Sequence, residues 1–216
     1  IDVGFIAKVI ILYKNTVFDM SYAELHCLSN YSFLRGASHP SELVEQAVHL
    51  GYSALAITDE CSLAGIVKAH VVAKELDFKL IIGSEFNVSE GLKLVAIAPS
   101  RAAYGELSNL ISRSRRRSEK GQYLTHLRDI YFHLKRCFII WLPTHIDEEK
   151  HHADILSRRF ADRFWIGVTQ LLHHDDTTRL TELQQIASEL KAPLIACGSV
   201  EMHSASRKML HDVVTA

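Results

Sequence analysis

Residues Tyr22–Val67 read YAELHCLSNYSFLRGASHPSELVEQAVHLGYSALAITDECSLAGIV, and in this stretch the apolar pattern alternates between strand and helix spacing. Tyr22–Leu28 reads as a strand. The helix after it has Pro40 near its first turn and Gly51 just past its end, the usual start and stop residues. Its apolar positions Leu43, Val44, Ala47 and Leu50 recur at helical spacing. Ser53–Thr58 (SALAIT) is short and apolar, as a strand buried on both faces is. Ser62–Leu76 returns to helical spacing, with Leu63, Ile66, Val67 and Val71 on one side. Strand and helix in this order call for a parallel sheet with right-handed crossovers.

The alternation continues outward. Strands are predicted over Lys79–Gly83, Leu92–Ala98, Cys137–Leu142, Phe164–Thr169 and Pro193–Cys197. Helices are predicted over Arg101–Arg117, Glu148–Phe160 and Thr177–Leu190, with a last one from about Ser204. The stretch 119–135 reads as a loop holding a short helix. About seven strands interleaved with helices give an α/β chain forming a closed or nearly closed barrel of the TIM type. An open nucleotide-binding sheet fits less well, because no glycine-rich phosphate loop follows the first strand.

At the start, Ile1-Asp2-Val3 precedes an apolar run, Val9–Tyr13, that is too short to span a bilayer. Met20 stands just before the first strand. Residues 1–19 are therefore expected to be an N-terminal extension, either non-native sequence or an added edge element, and residues 20–216 the domain, cut off inside its last helix.

The 216 residues are 48 % hydrophobic and 23 % charged, enough for one good-sized core and without low-complexity tracts. A net charge of −1 argues against a free-standing module that grips nucleic acid by electrostatics alone. Cys27, Cys61, Cys137 and Cys197 form no CxxC pair, which excludes a zinc ribbon. They read as reduced core thiols of a cytoplasmic protein without membrane attachment.

In a β/α barrel, chemistry gathers at the C-terminal ends of the strands. Here those ends carry His26, Asp59-Glu60, Glu85, His173-His174 and Ser199–His203. Imidazoles and carboxylates in such a place suit Zn²⁺ or Mn²⁺, which activate water against a phosphoester. The spacing also supplies the opposing reading. Leu28 shares a strand face with His26 and binds no metal, Asp59 serves equally as a helix cap, and His173-His174 sit in a polar loop. The run Arg113, Arg115, Arg116 and Arg117 either contacts a phosphate backbone or forms a solvated helix end favoured by the macrodipole.

The segment Tyr22–Val67 closely resembles the start of the polymerase-and-histidinol-phosphatase (PHP) domain of bacterial C-family error-prone DNA polymerases. Gly83–Phe86, Leu94–Tyr104, Ser112–Gly121 and Pro193–Ala216 follow in the family's order. The resemblance implies a distorted seven-stranded β/α barrel. In active members a cluster of His, Asp and Glu holds metals and hydrolyses phosphoesters. Carried over residue by residue, the opening His-x-His is His26-Cys27-Leu28, and the acidic residue before the first-loop glycine is Arg35. Thr-Asp-His becomes Thr58-Asp59-Glu60, the third-strand glutamate is Glu85, and the next strand's His is Lys93. The closing Asp-x-His becomes Ser199-Val200-Glu201. His26 and Glu85 thus survive, with Glu60 and Glu201 as substitutes, as the remnant of a metal site that Arg35 and Lys93 oppose by charge.

The resemblance implies a structural module of an error-prone, translesion polymerase, with no catalytic residues of its own and no polymerase palm in this chain. No cofactor is expected in it. Zn²⁺ or Mn²⁺ belongs only to the alternative, an active PHP phosphoesterase or 3′–5′ exonuclease, and Mg²⁺ to the parent polymerase. The implied partners are the rest of the polymerase chain, DNA through that parent, and other damage-tolerance subunits.

Overall fold

The first strand is shorter than its sequence pattern. In the computed structural model, which describes residues 22–216, β1 spans Ala23–Glu24 and pairs in parallel with β2, Ala54–Ile57. The expectations for residues 1–19 and Met20 lie outside the described residues. The order continues with α1 (Pro40–His49) between β1 and β2, then α2 (Ile66–Glu75), β3 (Leu80–Asn87) and β4 (Lys93–Ile97). Next come α3 (Arg101–Arg116), α4 (Leu127–His133), β5 (Phe138–Trp141), α5 (Ile146–Arg159) and β6 (Phe164–Val168). The chain closes with α6 (Asp176–Leu190), β7 (Leu194–Ala196), a 3₁₀ turn (Ala205–Arg207) and α7 (Lys208–Thr215).

Among the described residues the sheet has seven strands in sequential order, β1 to β7. Its two edges meet beyond the formal strands. Cys27 bridges Val200, the Leu28 N–H donates to the Val200 carbonyl at 2.8 Å, and the Val200 N–H donates to the His26 carbonyl at 3.0 Å. The barrel is therefore nearly closed, in agreement with the sequence reading.

The expectation of an all-parallel sheet is corrected at β4, which runs antiparallel to both β3 and β5. Only a short turn links β3 to β4: the Val88 N–H donates to the Leu92 carbonyl, and Gly91 takes a φ of +93°. A turn of that length makes a hairpin, whereas a parallel return needs a crossover of a dozen or more residues. Pairing in the hairpin also carries β3 out to Asn87, beyond the predicted end at Gly83.

Two helix faces are corrected as well. Val67 and Val71 are exposed, as is Leu50, while Ile66, Ala69 and Ala73 are buried. Small alanines let α1 and α2 approach each other and the sheet, and their spacing sets the phase of α2 rather than the larger valines. The start of α5 two residues early has a local cause. Glu149 is buried and accepts from Trp141 Nε1, Thr144 Oγ1 and the His145 N–H, each at 2.6 Å, fixing the chain just before the first turn.

One apolar layer fills the barrel, with Leu25, Ala56, Ile97, Phe138, Ile140 and Ile195 among its residues. A larger one lies outside, between the strands from β3 to β6 and helices α3 to α6, and includes Phe86, Leu107, Trp141, Leu156 and Phe160. The four cysteines are free and buried, which suits their reading as core thiols. Among the described residues no helix is long and apolar enough to cross a membrane.

The loop from β1 to α1 folds back on itself so closely that a Cβ on Gly36 would lie 2.0 Å from the Ser29 carbonyl oxygen. Gly36→Ala is expected to cost about 2–3 kcal/mol, since backbone has to move to admit the methyl group. Urea unfolding of the variant beside the wild type measures this.

Candidate functional site

Loop 29–36 is shaped by Asp59, which stands just past β2. Its Oδ1 accepts from the Ser29 N–H at 2.7 Å and from Ser32 Oγ at 2.8 Å, and its Oδ2 from Ser29 Oγ at 2.7 Å. Burial raises the Asp59 carboxyl pKa, against the pull of these hydrogen bonds. Asp59 therefore ties the first loop down and does not cap α2. The loop it fixes carries Arg35 over the strand ends.

Around Arg35 the structure gathers all four sequence-predicted residues of the remnant site. Its Nη1 donates to Glu60 Oε2 at 2.8 Å and also to Glu85 Oε1. Its Nη2 lies 3.3 Å from Glu85 Oε2 and 3.4 Å from Glu201 Oε1. His26 Nε2 sits 2.6 Å from Glu85 Oε2, while His26 Nδ1 is buried with no partner among the described residues. Lys93 opens β4 opposite Asn87, which puts both residues on one face of the sheet at the barrel mouth. Lys93 makes none of these ion pairs.

The remaining oxygens are also engaged. Asn87 Nδ2 and the Tyr123 hydroxyl donate to Glu60 Oε1 at 2.6 and 2.7 Å, and His211 Nε2 lies 2.9 Å from Glu201 Oε2. Each of the six carboxylate oxygens of Glu60, Glu85 and Glu201 thus has a protein N–H or O–H against it. Metal ligation needs carboxylate lone pairs that converge on one point, and the Arg35 N–H groups stand at that point here. Among the described residues no group of three or more His, Cys, Asp or Glu is disposed to hold a metal ion.

The electrostatics follow from the contacts. Burial pushes the Glu85 carboxyl up, but the hydrogen bonds and charges of His26 and Arg35 outweigh it and hold the pKa at about 2. Burial works against the Arg35 charge too, and Glu85 and Glu60 more than restore it, raising its pKa. The Tyr123 hydroxyl is raised by burial and by its bond to Glu60, so it stays a donor.

Several contributors escape the sequence reading. Glu24 is 1 % exposed and accepts from the His26 N–H at 2.8 Å, the Gly198 N–H at 2.9 Å and the Tyr22 hydroxyl at 2.8 Å, locking β1 to the loop after β7. Its place two residues before His26, inside the predicted strand Tyr22–Leu28, is the signal that points to it. Asn87, Tyr123 and His211 carry no motif and reach the site by tertiary folding alone. His173 and His174 remain exposed in their loop, away from the cluster. His203 turns to Ser38 Oγ at 2.8 Å.

The arginine run ends α3, as its macrodipole preference implies, yet half of it is tied inward. Arg115 donates to the carbonyls of Glu60 and Cys61 at 3.1 and 3.2 Å and stacks over the Tyr123 ring. Arg117 pairs with Asp129 at 2.6 Å. Arg113, Arg116 and Arg117 are exposed, Arg113 lying 3.3 Å from His133.

A barrel with this mouth defines a class, and the PHP domain family model matches residues 24–192: the chain belongs to the PHP domain family. Among curated proteins it is similar to error-prone DNA polymerases. Identity is 50 % over 197 residues with that of Teredinibacter turnerae, covering 91 % of this chain and 19 % of the relative. It is 51 % over 201 residues with that of Saccharophagus degradans, with the same two coverages. The chain thus spans about one fifth of the length of the curated relatives it matches. Two solved structures share the fold at a TM-score of 0.60: a protein from Bifidobacterium adolescentis described as a metal-dependent phosphoesterase, and an amidohydrolase from Chromobacterium violaceum. They are 15 % and 14 % identical, with 86 % and 84 % of this chain and 88 % of each neighbour covered.

A carboxyl held near pKa 2, against an ordinary 4.5, stabilises the fold fully above pH 4.5 and loses that contribution as pH falls toward 2. Glu24 and Asp59, whose pKa values are raised, act in the opposite sense and gain stability on protonation. Across pH 4.5 to 2 the wild type is expected to lose roughly 3 kcal/mol more than Glu85→Gln, read from urea unfolding at stepped pH.

Proposed function

We propose that this chain is the PHP module of an error-prone DNA polymerase acting in translesion synthesis and DNA repair, and that it serves its polymerase by shape, without chemistry of its own. The observation that carries the second half is the engagement of all six carboxylate oxygens around Arg35. A hydrolase of this family needs those oxygens for metals that activate water. Here a guanidinium, which neither ligates nor gives up its proton, faces them instead.

The polymerase half rests on identity near 50 % across nine tenths of the chain. In this reading residues 20–216 are the module, and the remaining polymerase chain is its first partner. DNA and damage-tolerance subunits are reached through that parent, whose nucleotidyl transfer uses Mg²⁺, and the setting is the cytoplasm. Arg113 and Arg116 are the members of the basic run with side chains available to a phosphate backbone, because Arg115 and Arg117 hold the domain's own loops.

The alternative is an active PHP phosphoesterase or 3′–5′ exonuclease, favoured by the survival of His26 and Glu85 at matching positions. Incubation of the chain with Mn²⁺ or Zn²⁺ decides between them. Neither release of phosphate from p-nitrophenyl phosphate nor shortening of a 3′-labelled single strand is expected above the protein-free rate. Metal-dependent turnover that disappears in Glu85→Gln would establish the alternative. No primer extension is expected under any of these conditions.

A further inference from the structure

A metal ion at the mouth of a barrel does one job apart from its chemistry: it binds together acidic side chains from separate segments that otherwise repel one another. The segments here are the loop after β2 with Glu60, the end of β3 with Glu85, and the loop after β7 with Glu201. The Glu85 side chain is 0 % exposed, and those of Glu60 and Glu201 are 22 % and 27 % exposed. Three carboxylates this close and this sheltered need a cation to stand together.

We propose that Arg35 is the resident cation of this barrel, a covalently attached substitute that gathers the strand-end loops in place of a metal. Its planar fork suits the task, since each amino group addresses two carboxylates: Nη1 reaches Glu60 and Glu85, and Nη2 reaches Glu85 and Glu201. The effect passes to the last helix, because Glu201 uses its second oxygen on His211 of α7. Because the cation is part of the chain, the loops are assembled at any metal concentration. The inference rests on the reading of the domain as a non-hydrolytic module.

The test uses thermal unfolding of the full 216-residue chain, in EDTA and in MnCl₂. The wild-type midpoint is expected to be the same in both. Arg35→Ala is expected to unfold about 10 °C lower in EDTA and to recover several degrees in MnCl₂, as the carboxylates accept an external cation in the vacated space. Arg35→Ala/Glu85→Gln is expected to be more stable in EDTA than Arg35→Ala alone, since the unpaired buried charge is the source of the loss. Should Arg35→Ala not fold, recovery of a folded chain in the double variant supports the inference and failure of both overturns it. A wild-type midpoint that falls in EDTA overturns it. So does an Arg35→Ala chain as stable as wild type, or one indifferent to MnCl₂. These last two results leave the non-hydrolytic reading standing, whereas Mn²⁺-dependent hydrolysis by the wild type removes that reading itself.

Discussion

The contact between Arg35 and Glu85 is the interaction on which the mouth of the barrel depends. Glu85 sits on a strand with its side chain fully enclosed, and an enclosed carboxylate without a partner costs several kcal/mol. Satisfying it requires the first loop to arch over the strand ends and deliver a cation. That requirement explains the loop's construction: Asp59 gathers the serines at its base, and Gly36 lets its two arms pass at backbone distance. The pair differs from the surface ion pairs elsewhere in the chain, such as Lys208 with Asp212, which solvent screens to a small fraction of this worth.

A second ring of contacts holds the first. Arg115 comes from α3, clamps the carbonyls of Glu60 and Cys61, and lies across the Tyr123 ring, whose hydroxyl in turn fixes Glu60. The densest positive charge of the sequence is therefore partly spent within the fold. Arg113 and Arg116 keep exposed side chains, and the net charge of the whole sequence is −1.

Much of this fold is legible in the amino-acid sequence. Strands and helices follow from apolar periodicity because each is buried on a predictable face, and the barrel follows from their alternation. Features set by partners distant in sequence are not legible in the same way. The reversal of β4 depends on the brevity of the Val88–Leu92 turn, which period alone does not weigh. The burial of Ala69 and Ala73 over Val67 and Val71 depends on how near a neighbouring helix lies. At the site, motif alone identifies His26, Glu60, Glu85 and Glu201, and with them the misplaced charge of Arg35. It does not place the guanidinium at their centre or bring in Asn87, Tyr123 and His211, because no short-range pattern records which loops meet over a barrel.

The seam between β1 and β7 has a consequence for motion. Ordinary strands in this sheet are held by ladders of several bonds, but β1 is two residues long, and its far side is joined through Cys27, Val200 and the Glu24 carboxylate. Local opening follows the path of fewest bonds broken, so the barrel breathes along this line. The amides of Leu28 and Val200 are therefore expected to exchange with solvent deuterium ahead of those in β4 and β5. Glu201 lies beside this line, so its contacts with Arg35 and His211 add side-chain ties where backbone bonds are few.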